Sequence, residues 1–156
     1  MPAEGDAAPD FTLSSDSGDA ITLSSLRGSP VVLFFYPKDD TRGCTTEACN
    51  FRDDYRAYAG AGVTILGVSP DTPASHAKFK AKYALPFTLL ADIDHRVCDL
   101  YGVWGPKKFM GRSYEGVRRT TYLIDPQGKI VKVFENVKPA DHSREVLEAL
   151  GGVRQA

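Results

Sequence analysis

Two of the three cysteines, Cys44 and Cys49, stand five positions apart in the stretch YPKDDTRGCTTEAC, which covers residues 36–49. Thiols at such a spacing could hold a metal ion, form a structural disulfide, act as a redox pair or pack in a core without reacting. The stretch directly follows VVLFF, the most apolar run of the chain. Which chemistry applies therefore depends on where the two thiols lie relative to the strand that this run predicts.

The spacing of the cysteines and histidines does not favour a metal site. Zinc sites commonly take closely spaced Cys or His pairs that are matched by a second pair. Here the three histidines, His76, His95 and His142, are scattered, and we expect them on surface helices or at helix ends. The chain has no glycine motif of the nucleotide-binding kind, and we expect no metal, haem, flavin or other cofactor.

The helix geometry limits how Cys44 and Cys49 can react with each other. Cys44 follows the predicted strand at the start of a helix, where free backbone N–H groups and the helix dipole favour a thiolate. Residues five apart on a helix are separated by about 7.5 Å along the axis and about 140° around it. A disulfide needs Cα atoms within roughly 7 Å and converging Cβ vectors. The two thiols can therefore join only if the first turns unwind, which suits an enzyme that oxidises one cysteine and then recruits the other.

The elements around this stretch predict an α/β fold with a mixed central sheet flanked by helices and an N-terminal β-hairpin. The predicted strands are two short ones within residues 11–26 and then residues 31–36, 63–69, 87–90, 120–125 and 130–135. The predicted helices are residues 45–59, 73–83 and 92–101 and a last helix that Asp141 caps and that ends at Leu150, before Gly151 and Gly152. Cys98 falls within the third helix, where we expect a packed core residue.

Length, charge and composition exclude several classes of protein. A chain of 156 residues fits one domain, residues 1–156. A formal net charge of -1 argues against nucleic acid or an anionic membrane as a partner. No apolar run approaches the roughly 20 residues that span a bilayer, and residues 1–11 do not read as a secretory signal. An odd number of cysteines without an export signal predicts a reducing compartment, the cytoplasm.

Pro37, Thr41 and Cys44 form the pattern Pro-x-x-x-Thr-x-x-Cys after a buried strand. Here the sequence resembles the peroxiredoxins, and more narrowly their bacterioferritin comigratory protein, or Q-type, branch. The resemblance runs from about APDF (8–11) to the last helix, and residues 36–49 and 102–125 are its most specific parts. It implies a thioredoxin-like three-layer fold and a thiol-dependent peroxidase. Arg42 departs from the branch, which often has proline there.

The resemblance also implies roles for individual residues. Cys44 is the peroxidatic cysteine, Thr41 offers a hydroxyl to the peroxide and the sulfur, and Pro37 shapes the loop and limits water access. Backbone N–H groups around Gly43 and Cys44 form a cradle for the developing negative charge, as the chemistry of O–O cleavage requires.

A cation is required as well, and the resemblance implies Arg119. The alternation of a strand sends its neighbour Arg118 to the opposite face. Glu47, three residues after Cys44, is the expected anchor of that arginine, although a glutamate in the first turn is also favoured by the helix dipole alone.

The implied cycle begins with reduction of hydrogen peroxide or an organic hydroperoxide by Cys44. Cys49 then forms an intramolecular disulfide with it, and thioredoxin or a similar dithiol protein restores the thiols. Because the resolving cysteine is in the same chain, we expect a monomer. The alternative is a redox-sensing or chaperone-like partner protein on the same fold.

Overall fold

A central sheet of seven strands forms the middle of the computed structural model, which describes residues 1–154 and all their side chains except those of Phe109 and residues 152–154. The strands of this sheet are β1 (Thr12–Ser15), β2 (Ala20–Thr22), β3 (Val31–Phe35), β4 (Thr64–Ser69), β5 (Thr88–Ala91), β8 (Thr120–Ile124) and β9 (Ile130–Phe134). A separate two-stranded hairpin contains β6 (Trp104–Phe109) and β7 (Arg112–Val117). Residues 155–156 of the predicted domain lie outside the described residues.

The sheet is mixed, as the sequence predicts. Its strand order is β2-β1-β5-β4-β3-β8-β9. β3, β4 and β5 run parallel, while β8 is antiparallel to β3 and β1 is antiparallel to β5. β3 therefore lies inside the sheet between β4 and β8, and its carboxyl end is the edge from which the stretch with Cys44 departs. Parallel sheets carry their sites at this edge.

Within the part of the chain that the structure describes, five α-helices cover the sheet. They are α1 (Arg42–Asp53), α2 (Tyr55–Gly60), α3 (Pro73–Tyr83), α4 (Arg96–Leu100) and α5 (His142–Arg154), and a short 3-10 helix spans Leu23–Leu26. None of the described helices is both long and apolar enough to cross a membrane.

The core consists of two clusters, one on each face of the sheet. Alternate residues of β3 enter them, because successive side chains of a strand point to opposite faces. Val31, Leu33 and Phe35 pack with α4, while Val32 and Phe34 pack with α1, α3 and α5. All five residues of β3 are buried, which explains its continuous apolar run. The predicted three-layer α/β architecture is confirmed.

The bounds of three predicted helices were wrong. The predicted helix 45–59 is two helices that meet at Asp54, where the backbone leaves helical geometry. The predicted helix 92–101 is shorter and spans Arg96–Leu100. It begins later because Asp92 lies outside it, where its carboxylate accepts from the N–H groups of Val97 and Cys98 in the first turn. The last helix continues to Arg154, since glycine weakens a helix by only about 1 kcal/mol and does not end it.

The β6–β7 hairpin was not predicted. Its strands carry glycine, proline and several charged residues, and four of the six positions of β7 are exposed. Such a sequence lacks the alternating apolar pattern that indicates a half-buried strand. The pairing of Trp104 with Val117 at its base nevertheless brings the hairpin to the side of the sheet where β8 begins.

Candidate active site

Cys44 lies at the third position of α1, immediately beyond the loop that leaves β3. The loop spans residues 37–41, and Thr41 is the residue that precedes the helix. The side chain of Cys44 is buried, with a relative exposure of 1%, and it packs with Ala48 and Phe51 of the same helix. This is the position predicted from the sequence, at a helix start where backbone N–H groups are free to stabilise negative charge.

Arg119 donates hydrogen bonds to two side chains of α1, those of Cys44 and Glu47. Its Nη2 donates to Cys44 Sγ at 3.0 Å, and its Nη1 donates to Glu47 Oε1 at 3.4 Å. Arg119 stands just ahead of β8, at the edge of the sheet next to the end of β3. Arg118 points elsewhere and donates to the carbonyl oxygen of Gly102. The geometry thus brings Arg119, and not Arg118, to the sulfur.

Glu47 is an unusual carboxylate, because only 1% of its surface is exposed. Its Oε2 is the one buried side-chain nitrogen or oxygen among the described residues that has no hydrogen-bond partner. Burial raises the pKa of Glu47 to about 7, although the Arg119 cation acts in the opposite direction. The carboxyl group therefore holds the arginine but is itself incompletely satisfied.

Gly43 leaves room for Arg119 to reach the sulfur of Cys44, and this role of the glycine was not predicted from the sequence. A Cβ atom at this position would lie 2.7 Å from Arg119 Nη2 and 3.7 Å from Pro139 Cγ. No side chain fits there without displacing the guanidinium. The sequence holds no local signal for this requirement, since the two residues are far apart along the chain.

Thr41 and Pro37 lie in the loop that leads to Cys44, where they were predicted. The hydroxyl of Thr41 is exposed and donates to the carbonyl oxygen of Lys38 at 2.9 Å. A hydrogen bond from this hydroxyl to the sulfur, which the resemblance implies, is not among those of the described residues. In this state Thr41 therefore stabilises the loop itself.

Cys49 lies in the same uninterrupted helix as Cys44. It is half-buried, both thiols are free, and α1 is continuous from Arg42 to Asp53. The helical separation of five residues keeps the sulfurs from bonding in this state. Cys98 is fully buried on the other face of the sheet, where burial and the nearby Asp92 raise the pKa of its thiol. The prediction of a packed residue at position 98 agrees with this placement.

Lys107 is a second cation in this region, and it was not predicted from the sequence. It extends from β6 over Gly116, and its Nζ donates to the carbonyl oxygen of Val117 at 2.8 Å. Burial and then the Arg119 cation lower the pKa of Lys107, while the charge of a Cys44 thiolate acts in the opposite direction. The unpredicted hairpin thus adds positive charge to the site.

The histidines were predicted on surface helices or at helix ends, and the structure places them in or beside helices. His76 lies within α3 and His142 is the first residue of α5, and both side chains are fully buried. His142 binds the hydroxyl of Thr121 through Nε2, and burial lowers its pKa. His95 precedes the first residue of α4, where it stacks on Trp104 at 3.9 Å.

Comparison with known proteins agrees with a thiol site on this fold. The AhpC/TSA family matches residues 4–133. Peroxiredoxin Bcp of Bacillus subtilis is 47% identical over 146 residues, which cover 94% of this chain and 93% of that protein. A mutant of Xylella fastidiosa PrxQ superposes with a TM-score of 0.91 at 33% identity, covering 97% of this chain and 96% of the other. The Xanthomonas campestris bacterioferritin comigratory protein, described for its alkyl peroxide reduction activity, gives a TM-score of 0.87 at 38% identity and 92% coverage of each chain.

The chain therefore belongs to the AhpC/TSA family, and within it to the Bcp or Q-type peroxiredoxins. It is a thiol-dependent peroxidase with a thioredoxin-like fold, which acts on a peroxide and requires a thiol reductant. The predicted family, fold and class of activity are confirmed.

Proposed function

We propose that Cys44 reduces the peroxide, that Cys49 resolves the product within the same chain, and that thioredoxin restores both thiols. The observation that carries the proposal is the contact of Arg119 with both Cys44 Sγ and Glu47 at the start of α1. A guanidinium fixed beside a buried thiol stabilises the thiolate and the charge that develops on a departing oxygen.

In the first step the Cys44 thiolate attacks one oxygen of the peroxide. The S–O bond forms as the O–O bond breaks, so that sulfur is oxidised to a sulfenic acid and the peroxide is reduced. The departing oxygen takes up a proton and leaves as water or an alcohol. Arg119 and the backbone N–H groups around Gly43 and Cys44 face the negative charge, while Pro37 and Thr41 shape the loop that receives the substrate.

The second step requires α1 to open. In the intact helix Cys49 cannot reach the sulfur of Cys44, so the first two turns must unwind before the Cys49 thiol displaces water from the sulfenic acid. The product is a disulfide between these two cysteines. A dithiol protein then reduces it by thiol–disulfide exchange, and we assign this part to thioredoxin.

Several further assignments belong to the same proposal. The substrates are hydrogen peroxide and organic hydroperoxides, and the activity described for the Xanthomonas relative supports the second group. We also propose a single domain over residues 1–156, a monomer and a cytoplasmic location, in which three unpaired cysteines remain reduced.

Cysteine substitutions test the catalytic assignment. Cys44→Ser should abolish peroxide consumption with thioredoxin, thioredoxin reductase and NADPH. Cys98→Ala removes a thiol on the other face of the sheet and should leave turnover close to that of the wild type. Retained turnover in Cys44→Ser would refute the role of Cys44.

Thiol–disulfide mapping by mass spectrometry tests the resolving step. After one equivalent of peroxide the wild type should contain a disulfide between Cys44 and Cys49. Cys49→Ser should still consume the first equivalent but form no such bond. A bridge between Cys44 and Cys98 would show that Cys49 does not resolve the product.

A further inference from the structure

The loop that carries the site is bound to α3 through a buried carboxylate. Asp39, in the middle of residues 37–41, has a relative exposure of only 7%. Its Oδ1 accepts from the hydroxyl of Tyr36 at 2.6 Å, and its Oδ2 accepts from the hydroxyl of Ser75 at 2.8 Å. Its backbone N–H donates to Asp71 Oδ2 at 2.8 Å. Asp39 thus connects the end of β3, the start of α3 and the residues that follow β4.

His76 completes this set of contacts from inside the protein. The ring is fully buried, and its Nδ1 lies 2.7 Å from Asp39 Oδ2. Its Nε2 lies 2.9 Å from the carbonyl oxygen of Leu90. A carbonyl oxygen only accepts, so Nε2 is the donor to Leu90, and Nδ1 lies within hydrogen-bond distance of the carboxylate. Removing the ring would leave Asp39 Oδ2 with a single partner inside the protein, which is costly for a buried charge.

The next residue of the loop has only surface contacts. Asp40 binds Lys82 at 2.7 Å and the hydroxyl of Tyr83 at 2.7 Å, and all three groups reach solvent. Ion pairs that are exposed to solvent contribute little to stability. The contacts of the buried Asp39 with His76 and Ser75 are therefore the stronger attachments of the loop to α3, and the surface contacts of Asp40 are the weaker.

The same atoms could also suggest a metal site, since ligand atoms of Asp39, Asp71 and His76 lie within 4.8 Å of one another. The hydrogen bonds contradict that interpretation. Both ring nitrogens of His76 already face acceptors, and Asp71 Oδ2 accepts from Ser69 and from the backbone of Asp39. These side chains satisfy one another without an ion.

We propose that His76 is a positioning residue for peroxide reduction, which acts through Asp39 to hold the loop of residues 37–41 in its reactive geometry. Asp39 lies two residues from Pro37 and two from Thr41, so a shift of its backbone moves both ends of the substrate loop. Misplacement of a reacting group by about 1 Å can lower a rate by about a hundredfold. This inference rests on the proposed role of Cys44.

Two substitutions of similar shape separate positioning from general stability. The carboxamide nitrogen of His76→Asn can take the place of Nδ1 and donate to Asp39. That of His76→Gln can take the place of Nε2, which keeps the contact with Leu90 and loses the one with Asp39. The measured quantity is the second-order rate constant for oxidation of Cys44 by hydrogen peroxide, from rapid quenching and mass spectrometry, with thermal unfolding of each variant recorded alongside.

We expect His76→Gln to lower this rate constant by about tenfold to a hundredfold and His76→Asn to restore it to within about threefold of the wild type. A rate constant for folded His76→Gln equal to that of the wild type would overturn the inference. So would equal losses in both variants that follow their loss of thermal stability.

If His76→Gln does not fold, Ser75→Ala supplies the second measurement, because it removes another partner of Asp39 from a half-buried position. It should lower the same rate constant by a smaller factor, and an unchanged value would overturn the inference. A wild-type protein inert towards peroxide would refute the proposed function as well, whereas an active wild type with active variants refutes only the part assigned to His76.

Discussion

At the scale of single residues, the candidate site contains one arginine held between a thiol and a buried carboxylate. Arg119 bonds to Cys44 Sγ and to Glu47 Oε1, while the second oxygen of Glu47 lacks a partner among the described residues. The folded protein therefore carries a carboxyl group that is costly to ionise. Because of that cost, the contribution of Glu47 to the free energy of unfolding falls as the pH rises, which is opposite to the contribution of most surface carboxylates.

The pKa of Glu47 is raised in the folded state to about 7 from an ordinary value of 4.5, chiefly by burial. Between these values the folded protein binds more protons at this group than the unfolded chain, so its contribution to stability is complete below pH 4.5 and is lost as the pH rises towards 7. Relative to Glu47→Gln, the wild type should lose roughly 2 to 3 kcal/mol of unfolding free energy between pH 5 and pH 8. Urea denaturation of both proteins across this range measures the difference, and a constant difference would contradict the prediction.

Gly43 is the second residue whose effect can be measured by itself. The Cβ of Gly43→Ala would lie 2.7 Å from Arg119 Nη2 and should displace the guanidinium from Cys44. We expect a loss of peroxidase kcat/KM of about tenfold or more with little loss of stability, because alanine favours a helix more than glycine does. Gly60→Ala in α2 is a matched control, since no atom lies within 4 Å of the new Cβ. Equal activities in the two variants would show that Gly43 has no part in placing the arginine.

At the scale of elements, α1 consists of two parts with different attachments. Its first turns are held by Arg119 through Cys44 and Glu47, and in the proposed cycle the oxidation of Cys44 to a sulfenic acid weakens this attachment. The residues after Cys49 are held by contacts that oxidation does not touch. Asn50 donates to the carbonyl oxygens of Pro139 and Ala140, and the ring of Phe51 stacks on Phe34 at 4.9 Å.

Hydrogen exchange should show this division. In the Cys44–Cys49 disulfide form we expect the amides of residues 45–49 to lose protection and those of Phe51 and Arg52 to keep it. In Asn50→Ala the loss should spread beyond Cys49, because the contact with the segment before α5 is gone. Exchange that already extends through Arg52 in the oxidised wild type would contradict the division of α1.

The elements that carry the site could be predicted from the sequence where their burial requires a regular pattern of apolar residues. β3 and β4 are continuous apolar runs, and Pro73 marks the start of α3 in sequence and structure alike. The β6–β7 hairpin was missed because its residues are mainly polar and exposed, and Lys107 was missed with it. The break at Asp54 was also missed, since the apolar spacing of Phe51, Tyr55 and Tyr58 continues across it.

At the scale of the whole molecule, the residue pattern alone indicated only residues that lie close together along the chain. Cys44 and Cys49 were predicted from their spacing and a family resemblance, Arg119 was predicted from that resemblance alone, and their catalytic roles stay predictions. His76 and Asp39 are 37 residues apart along the chain, and Arg119 and Gly43 are farther apart still. Neither partner has a local pattern that indicates the other, so such contacts require the folded structure.

The position of both cysteines in one helix also bears on assembly. In the proposed cycle the resolving cysteine comes from the same chain, which removes the need for a partner subunit at the site. We expect light scattering with size-exclusion chromatography to give the mass of a single chain, 17.0 kDa, before and after one equivalent of peroxide. A mass that doubles with protein concentration in the reduced state would contradict a monomer.

In the proposed cycle, the unbroken course of α1 from Arg42 to Asp53 makes two reactions of the oxidised sulfur compete with each other. A sulfenic acid that waits for its helix to open is exposed to a second peroxide, which would convert it irreversibly to a sulfinic acid. Openings of this kind take roughly microseconds to seconds, whereas the second oxidation accelerates with peroxide concentration. The ratio of the two rates defines the peroxide concentration above which the enzyme is inactivated by overoxidation of its own thiol. A variant in which the first turns of α1 are less stable should tolerate a higher peroxide concentration. A variant in which they are more stable should be inactivated at a lower one.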